Sequence, residues 1–134
     1  ANEVETILAT CETDGERIAP YTAAGCQVWQ LPAREGHVDL SALMDRLGAA
    51  EIDGVLLEGG GTLNWSMLEA GLVQRVQAYI APKLFGGGAA KSPVEGVGVE
   101  LPAQAARLRN TTVTQLGEDF LLEGEVDADV HGNC

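Results

Sequence analysis

The chain has 134 residues, 8 Lys and Arg against 20 Asp and Glu, and a formal net charge of −12. With 46% apolar and 21% charged residues it has the make-up of a folded domain, not a disordered chain, and its length suits a single domain over 1–134. The acidic excess, with its cations scattered from Arg17 to Arg109, argues against nucleic-acid or anionic-membrane partners, and no apolar run approaches the roughly 20 residues of a membrane-spanning helix.

Residues 4–10 hold the run Thr6-Ile7-Leu8-Ala9-Thr10, which predicts a strand, and residues 11–17 read as a polar turn around Asp14-Gly15. A second short strand is expected over 26–31, stopped by Pro32 and followed by a loop through Gly36. Asp39 is a good helix N-cap: after it Leu40, Leu43, Met44 and Leu47 fall on one helical stripe, with Gly48 as the stop. Residues 52–57 form an apolar run too short for a helix and bounded by glycines, which predicts a strand buried on both faces of a parallel sheet. A helix is expected over 62–70, with Leu63, Met67 and Leu68 sharing one face and Gly71 closing it, then a strand over 73–81 ended by Pro82. Residues 86–102 read as a long Gly- and Pro-rich loop. The chain then closes with a hairpin of 107–116 and 120–126, turning at Gly117-Glu118-Asp119. The order predicts an α/β fold, a mostly parallel mixed sheet finished by antiparallel strands.

Cys11, Cys26 and Cys134 are widely spaced, with no CxxC pair and no Cys/His cluster, so free thiols are expected instead of a disulfide framework or a zinc site. Asp127, Asp129 and His131 read as a solvated tail, and no metal site is expected. The first residues have neither a basic segment nor an apolar signal core, which makes a cytoplasmic protein the expectation.

One segment carries chemistry. Leu57-Glu58-Gly59-Gly60-Gly61-Thr62-Leu63 runs from an expected strand through glycines into a helix, the kind of crevice where open α/β sheets hold ligands. Glycines let backbone come close to a ligand, and a helix start offers unpaired N–H groups and positive dipole potential to a phosphate. Backbone amides would thus bind an anion that the side chains of a −12 chain repel. The spacing is neither GxxxxGK[ST] nor GxGxxG. Two readings stand side by side, a structural tight turn and a phosphate cradle. For Glu58 they are a ligand contact at the end of a buried strand, where an unpaired carboxylate is costly, and a cap on the following helix.

Beyond that segment, Leu68-Glu69-Ala70-Gly71-Leu72-Val73 and Tyr79-Ile80-Ala81-Pro82-Lys83-Leu84-Phe85-Gly86-Gly87 follow in order. Gly36-His37-Val38-Asp39-Leu40 precedes it, and Lys91-Ser92-Pro93, Gly96 and the ending from Leu116 through Gly124 complete the pattern. Over nearly its whole length the chain resembles the reductase domain of bacterial bifunctional riboflavin-biosynthesis proteins. That resemblance implies a dihydrofolate-reductase-like fold and NADPH-dependent reduction of the ribosyl carbonyl of 5-amino-6-(5-phosphoribosylamino)uracil, in a homodimer. It gives Glu58 as a substrate contact, and Gly59, Gly60, Gly61, Thr62, Leu63, Asn64, Trp65 and Ser66 as the segment around the NADPH phosphates. It names no general acid. Trp65 is bulky where the family tends to be small, and packing against the sheet is its favoured role. The family's first strands and the HxE and PCxxC motifs of its deaminase domain have no counterpart here, so a C-terminal portion of the reductase domain is the expectation. A non-catalytic nucleotide-binding or dimerisation module of the same fold is the alternative. The apolar 73–84 stretch fits either a subunit interface or a core strand.

Overall fold

The computed structural model describes residues 4–127, and the chain divides between Leu56 and Leu57 into two compact units. In the first, strand β1 (Ile7–Thr10) pairs in parallel with β2 (Gln27–Gln30), Ile7 opposite Gln27 and Thr10 opposite Gln30. Helix α1 (Gly15–Ala23) joins them and lies against β2. The sequence had suggested only a polar turn where α1 begins. The Asp14 carboxylate accepts the Glu16 N–H and starts the helix, and Pro20 sits inside it without breaking it. Before that cap, the Glu12 carboxylate accepts the N–H groups of Asp14 and Thr13, which, with the nearby Arg17, holds its pKa below the ordinary carboxylate value.

A two-residue hairpin of β3 (Ala33–Arg34) and β4 (His37–Val38) follows, turning through Glu35 and Gly36 at φ 53° and 79°. Two positive φ values in succession give the mirror-image turn that matches the twist of an antiparallel pair. Helix α2 (Leu40–Ala49) then forms where the apolar stripe predicts. Its Asp39 cap accepts the Ala42 N–H at 3.0 Å, and Leu40, Leu43, Met44 and Leu47 are all half-buried. It runs through Gly48, which is not its stop. The Arg46 guanidinium lies 5.0 Å from the ring centre of Trp29, the buried hydrophobic of this unit.

The expected strand over 52–57 is not present. These residues join no ladder, and Val55 and Leu56 are 53% and 74% exposed. A strand is defined by its hydrogen-bonded neighbour, and this run has none among the described residues. Among the described residues, parallel pairing is accordingly confined to β1 and β2.

In the second unit, α3 (Gly61–Glu69) leads into β5 (Arg75–Ile80), a long loop, a 3₁₀ turn at Pro102–Gln104, and the hairpin β6 (Leu108–Leu116) and β7 (Asp119–Val126). β7 is central, with β5 and β6 antiparallel on either side. The terminal hairpin is as the sequence predicts, closed by Gly117 at φ 63° and Glu118. The strand expected at 73–81 is found as the sheet's other edge. A bulge interrupts β6: Arg109 faces Glu125 and Thr112 faces Glu123, so Asn110 and Thr111 both lie opposite Gly124. Asn110 takes the left-handed φ of 50° and its side-chain amide donates to Glu125 Oε2 at 2.9 Å. Gly124 is buried, and a Cβ there would sit 2.9 Å from Leu108 Cβ and 3.0 Å from Thr111 Cγ2. Met67 on α3 is the buried hydrophobic of this unit.

Candidate functional site

The glycine run meets α3 at an open corner. Gly60 is the N-cap in extended conformation, φ −68° and ψ 165°, and has no side chain to cap the helix. The first backbone bond of the helix is Asn64 N–H to Gly60 carbonyl at 3.0 Å. The N–H groups of Gly61, Thr62 and Leu63 therefore have no partner within the helix, as at any α-helix start. In α1 and α2 an aspartate meets this need; in α3 no side chain among the described residues does.

The same residues border a cleft of ≈ 550 Å³ lined by residues 59–63 together with Lys91, Ser92, Pro93 and Glu95. The three glycines have different reasons to lack a side chain. A Cβ on Gly59 would lie 2.7 Å from Leu63 Cδ2, the mobile end of a side chain. On Gly61 it would meet Glu95 Cγ at 2.6 Å and the Ser92 carbonyl oxygen at 2.7 Å. On Gly60 it would meet nothing within 4 Å. Only at Gly60 is the missing methyl free space that a ligand can use.

The loop facing the corner is tied to the first turn of α3. Glu95 N–H donates to the Gly61 carbonyl at 2.9 Å, the Asn64 side-chain amide donates to the Pro93 carbonyl at 2.8 Å, and Gly96, at φ 120°, rests against the Trp65 ring. Within the loop, Ser92 N–H donates to Glu95 Oε1 at 3.0 Å.

Of the residues the sequence points to, Gly59, Gly60, Gly61, Thr62 and Leu63 come together on the cleft. Asn64 and Trp65 hold the loop, and the Ser66 hydroxyl donates to the Thr62 carbonyl at 3.0 Å, back along the helix. Leu63 is 42% exposed and lines the cleft. Glu58 is exposed, so the cost of a buried carboxylate does not arise, and α3 has no side-chain cap, which removes the capping role. Lys91, Ser92 and Glu95 are the members that sequence reasoning missed as site residues. They lie some thirty positions away in an irregular loop, and their one signal was the Lys91-Ser92-Pro93 match.

Among the described residues no His, Cys, Asp and Glu group could hold a metal ion, and no helix is long and apolar enough to cross a membrane. Asp127 pairs with Arg109 at 3.4 Å, while Asp129, His131 and Cys134 lie outside the described residues.

Taken together, the elements define an α/β protein of dihydrofolate-reductase-like fold. Acinetobacter baumannii RibD superposes with a TM-score of 0.71 at 24% identity, over 90% of this chain and 31% of that one. The profile of the RibD C-terminal domain matches residues 1–122, and the chain belongs to that family. It is 44% identical over 123 residues to the riboflavin biosynthesis protein RibD of Actinobacillus pleuropneumoniae, covering 92% of this chain and 33% of that protein. It is also 45% identical over 87 residues to the 2,5-diamino-6-ribosylamino-4(3H)-pyrimidinone 5′-phosphate reductase of Methanothermobacter thermautotrophicus, covering 65% of this chain and 40% of that protein. The chain thus spans about a third of the length of the RibD relative.

Proposed function

We propose that this chain belongs to an NADPH-dependent reductase that converts the ring-opened ribosyl carbonyl of 5-amino-6-(5-phosphoribosylamino)uracil into a ribitylamino group. The observation that carries the reading is the uncapped, glycine-lined start of α3 opening on a cleft inside the segment that matches the family. The corner fits a dinucleotide diphosphate: Gly61, Thr62 and Leu63 would donate backbone N–H groups, Gly60 would leave room, and Lys91 would add a positive charge. Bound NADPH would supply the hydride. The protein's part is to fix the dinucleotide and to steady the substrate, for which Glu58, exposed just before the glycines, is the proposed contact. A substrate contact of this kind acts on placement, and no residue of the chain is assigned as general acid.

The family profile runs across both units, which supports reading 1–134 as part of one domain. A homodimer is the proposed assembly. β5 is a sheet edge, and its Tyr79 and Ile80 are 68% and 52% exposed, an apolar edge suited to a second copy. Cys11 and Cys26 are free thiols, in keeping with action in a reducing cytoplasm.

Titration with NADPH tests the cradle. Binding raises apparent stability by mass action, about 2.7 kcal/mol at a hundredfold excess over Kd. Loss of NADPH absorbance on adding the phosphorylated ribosylaminouracil tests the reaction, and the diaminopyrimidinone counterpart tests the choice of base. Binding without turnover would favour the non-catalytic module of the same fold, and no response to NADPH would refute the reading.

A further inference from the structure

The cleft has a second wall, and Glu95 is one of the residues that hold it in place, beside Asn64 and Trp65. Glu95 reaches α3 because Gly61 has no Cβ: its Cγ comes within 2.6 Å of where that atom would stand. From there Glu95 makes two bonds that fix the loop, its N–H to the Gly61 carbonyl at 2.9 Å and its Oε1 accepting Ser92 N–H at 3.0 Å. The loop so pinned places Lys91, Ser92 and Pro93 along the cleft. Glu95 also lines the cleft, where its charge would oppose any anion that the α3 amides attract. An aspartate or glutamate is an odd neighbour for a phosphate cradle unless its bonding role outweighs its charge.

We infer that Glu95 is a positioning residue of the dinucleotide site, a latch that sets the second wall of the cradle through its side-chain oxygen while its charge limits anion affinity. The inference rests on the dinucleotide reading above and separates two properties of one group, acceptor and charge. Glu95→Gln keeps an acceptor oxygen for Ser92 N–H and removes the charge; Glu95→Ala removes both.

NADPH dissociation constants for the wild-type chain and the two variants, with amide hydrogen exchange at Ser92, decide it. Glu95→Gln binds NADPH tighter than wild type, by roughly two- to fivefold at low salt, as for a single partly exposed charge. Glu95→Ala binds weaker than Glu95→Gln by roughly two- to tenfold, the scale of one lost hydrogen bond. Ser92 N–H exchanges slowly in wild type and Glu95→Gln and fast in Glu95→Ala. Equal affinities for the two variants, or unchanged Ser92 exchange in Glu95→Ala, overturn the inference while leaving the site itself standing. Failure of the wild-type chain to bind NADPH removes the reading beneath it, and the latch role falls with that reading.

Discussion

Gly60→Ala separates a glycine kept for the fold from one kept for a ligand. The backbone at Gly60 is extended, a conformation alanine adopts freely, and the added Cβ meets nothing within 4 Å. Alanine is a poorer N-cap than glycine by a few tenths of a kcal/mol or somewhat more, which roughly offsets the ~0.4–1 kcal/mol gained by stiffening the unfolded chain. The folded state should therefore stay within about 0.5 kcal/mol of wild type. Binding is another matter. In the proposed cradle the methyl would occupy space where a diphosphate approaches the amides of Gly61 and Thr62, and one hydrogen bond to a charged acceptor is worth about 1.5–3 kcal/mol. NADPH affinity should fall roughly ten- to hundredfold, since each ~1.4 kcal/mol is a factor of ten. Thermal melting with NADPH fluorescence titration on the same sample reads both quantities. Affinity within twofold of wild type in a normally folded variant would show that the corner does not face the dinucleotide.

The neighbouring Gly61→Ala behaves oppositely. Its Cβ would stand 2.7 Å from the Ser92 backbone oxygen, and overpacking of this kind costs about 1–3 kcal/mol, visible as a lower melting temperature without any ligand. Gly124→Ala collides with Leu108 Cβ and Thr111 Cγ2 opposite the β6 bulge and should lower stability by a similar ~1–3 kcal/mol in urea titration, with no specific effect on NADPH. Glu58→Gln, assayed in the active reductase, should reduce turnover while keeping NADPH affinity; unchanged turnover would rule out the proposed substrate contact. Because the pKa of Glu12 is depressed, first by the Asp14 and Thr13 N–H groups and less by Arg17, its contribution is present above the ordinary carboxylate value and is lost as pH falls through the lowered one. Protection of the Thr13 and Asp14 amides, measured against their intrinsic exchange rates, should accordingly be lost only below the usual carboxylate range.

Legibility followed how local each signal is. Asp39 with its leucine stripe, and the hairpin closed by Gly117-Glu118, are specified by residues a few positions apart, and both formed as read. The apolar run 52–57 failed because a strand also needs a partner, which no local pattern supplies. Helix α1 was hidden by its polar face and by Pro20, although Asp14 as cap with half-buried Ile18 one turn on was the available signal. The glycine corner was visible as a motif, but which glycine serves packing and which serves space depends on a loop thirty residues later. Asn64 and Trp65 were picked out as cofactor residues, and the structure gives their side chains the task of holding that loop.

The chain's two tryptophans fall one in each unit, Trp29 beneath Arg46 and Trp65 against Gly96. Each half of the molecule thus has its own fluorophore. The Trp65 indole N–H is buried with no hydrogen-bond partner among the described residues, and its ring faces Gly96, so its emission should respond to a shift of that loop. In a Trp29→Phe background, light from Trp65 alone would follow the loop that carries Gly96, with no label added to the protein.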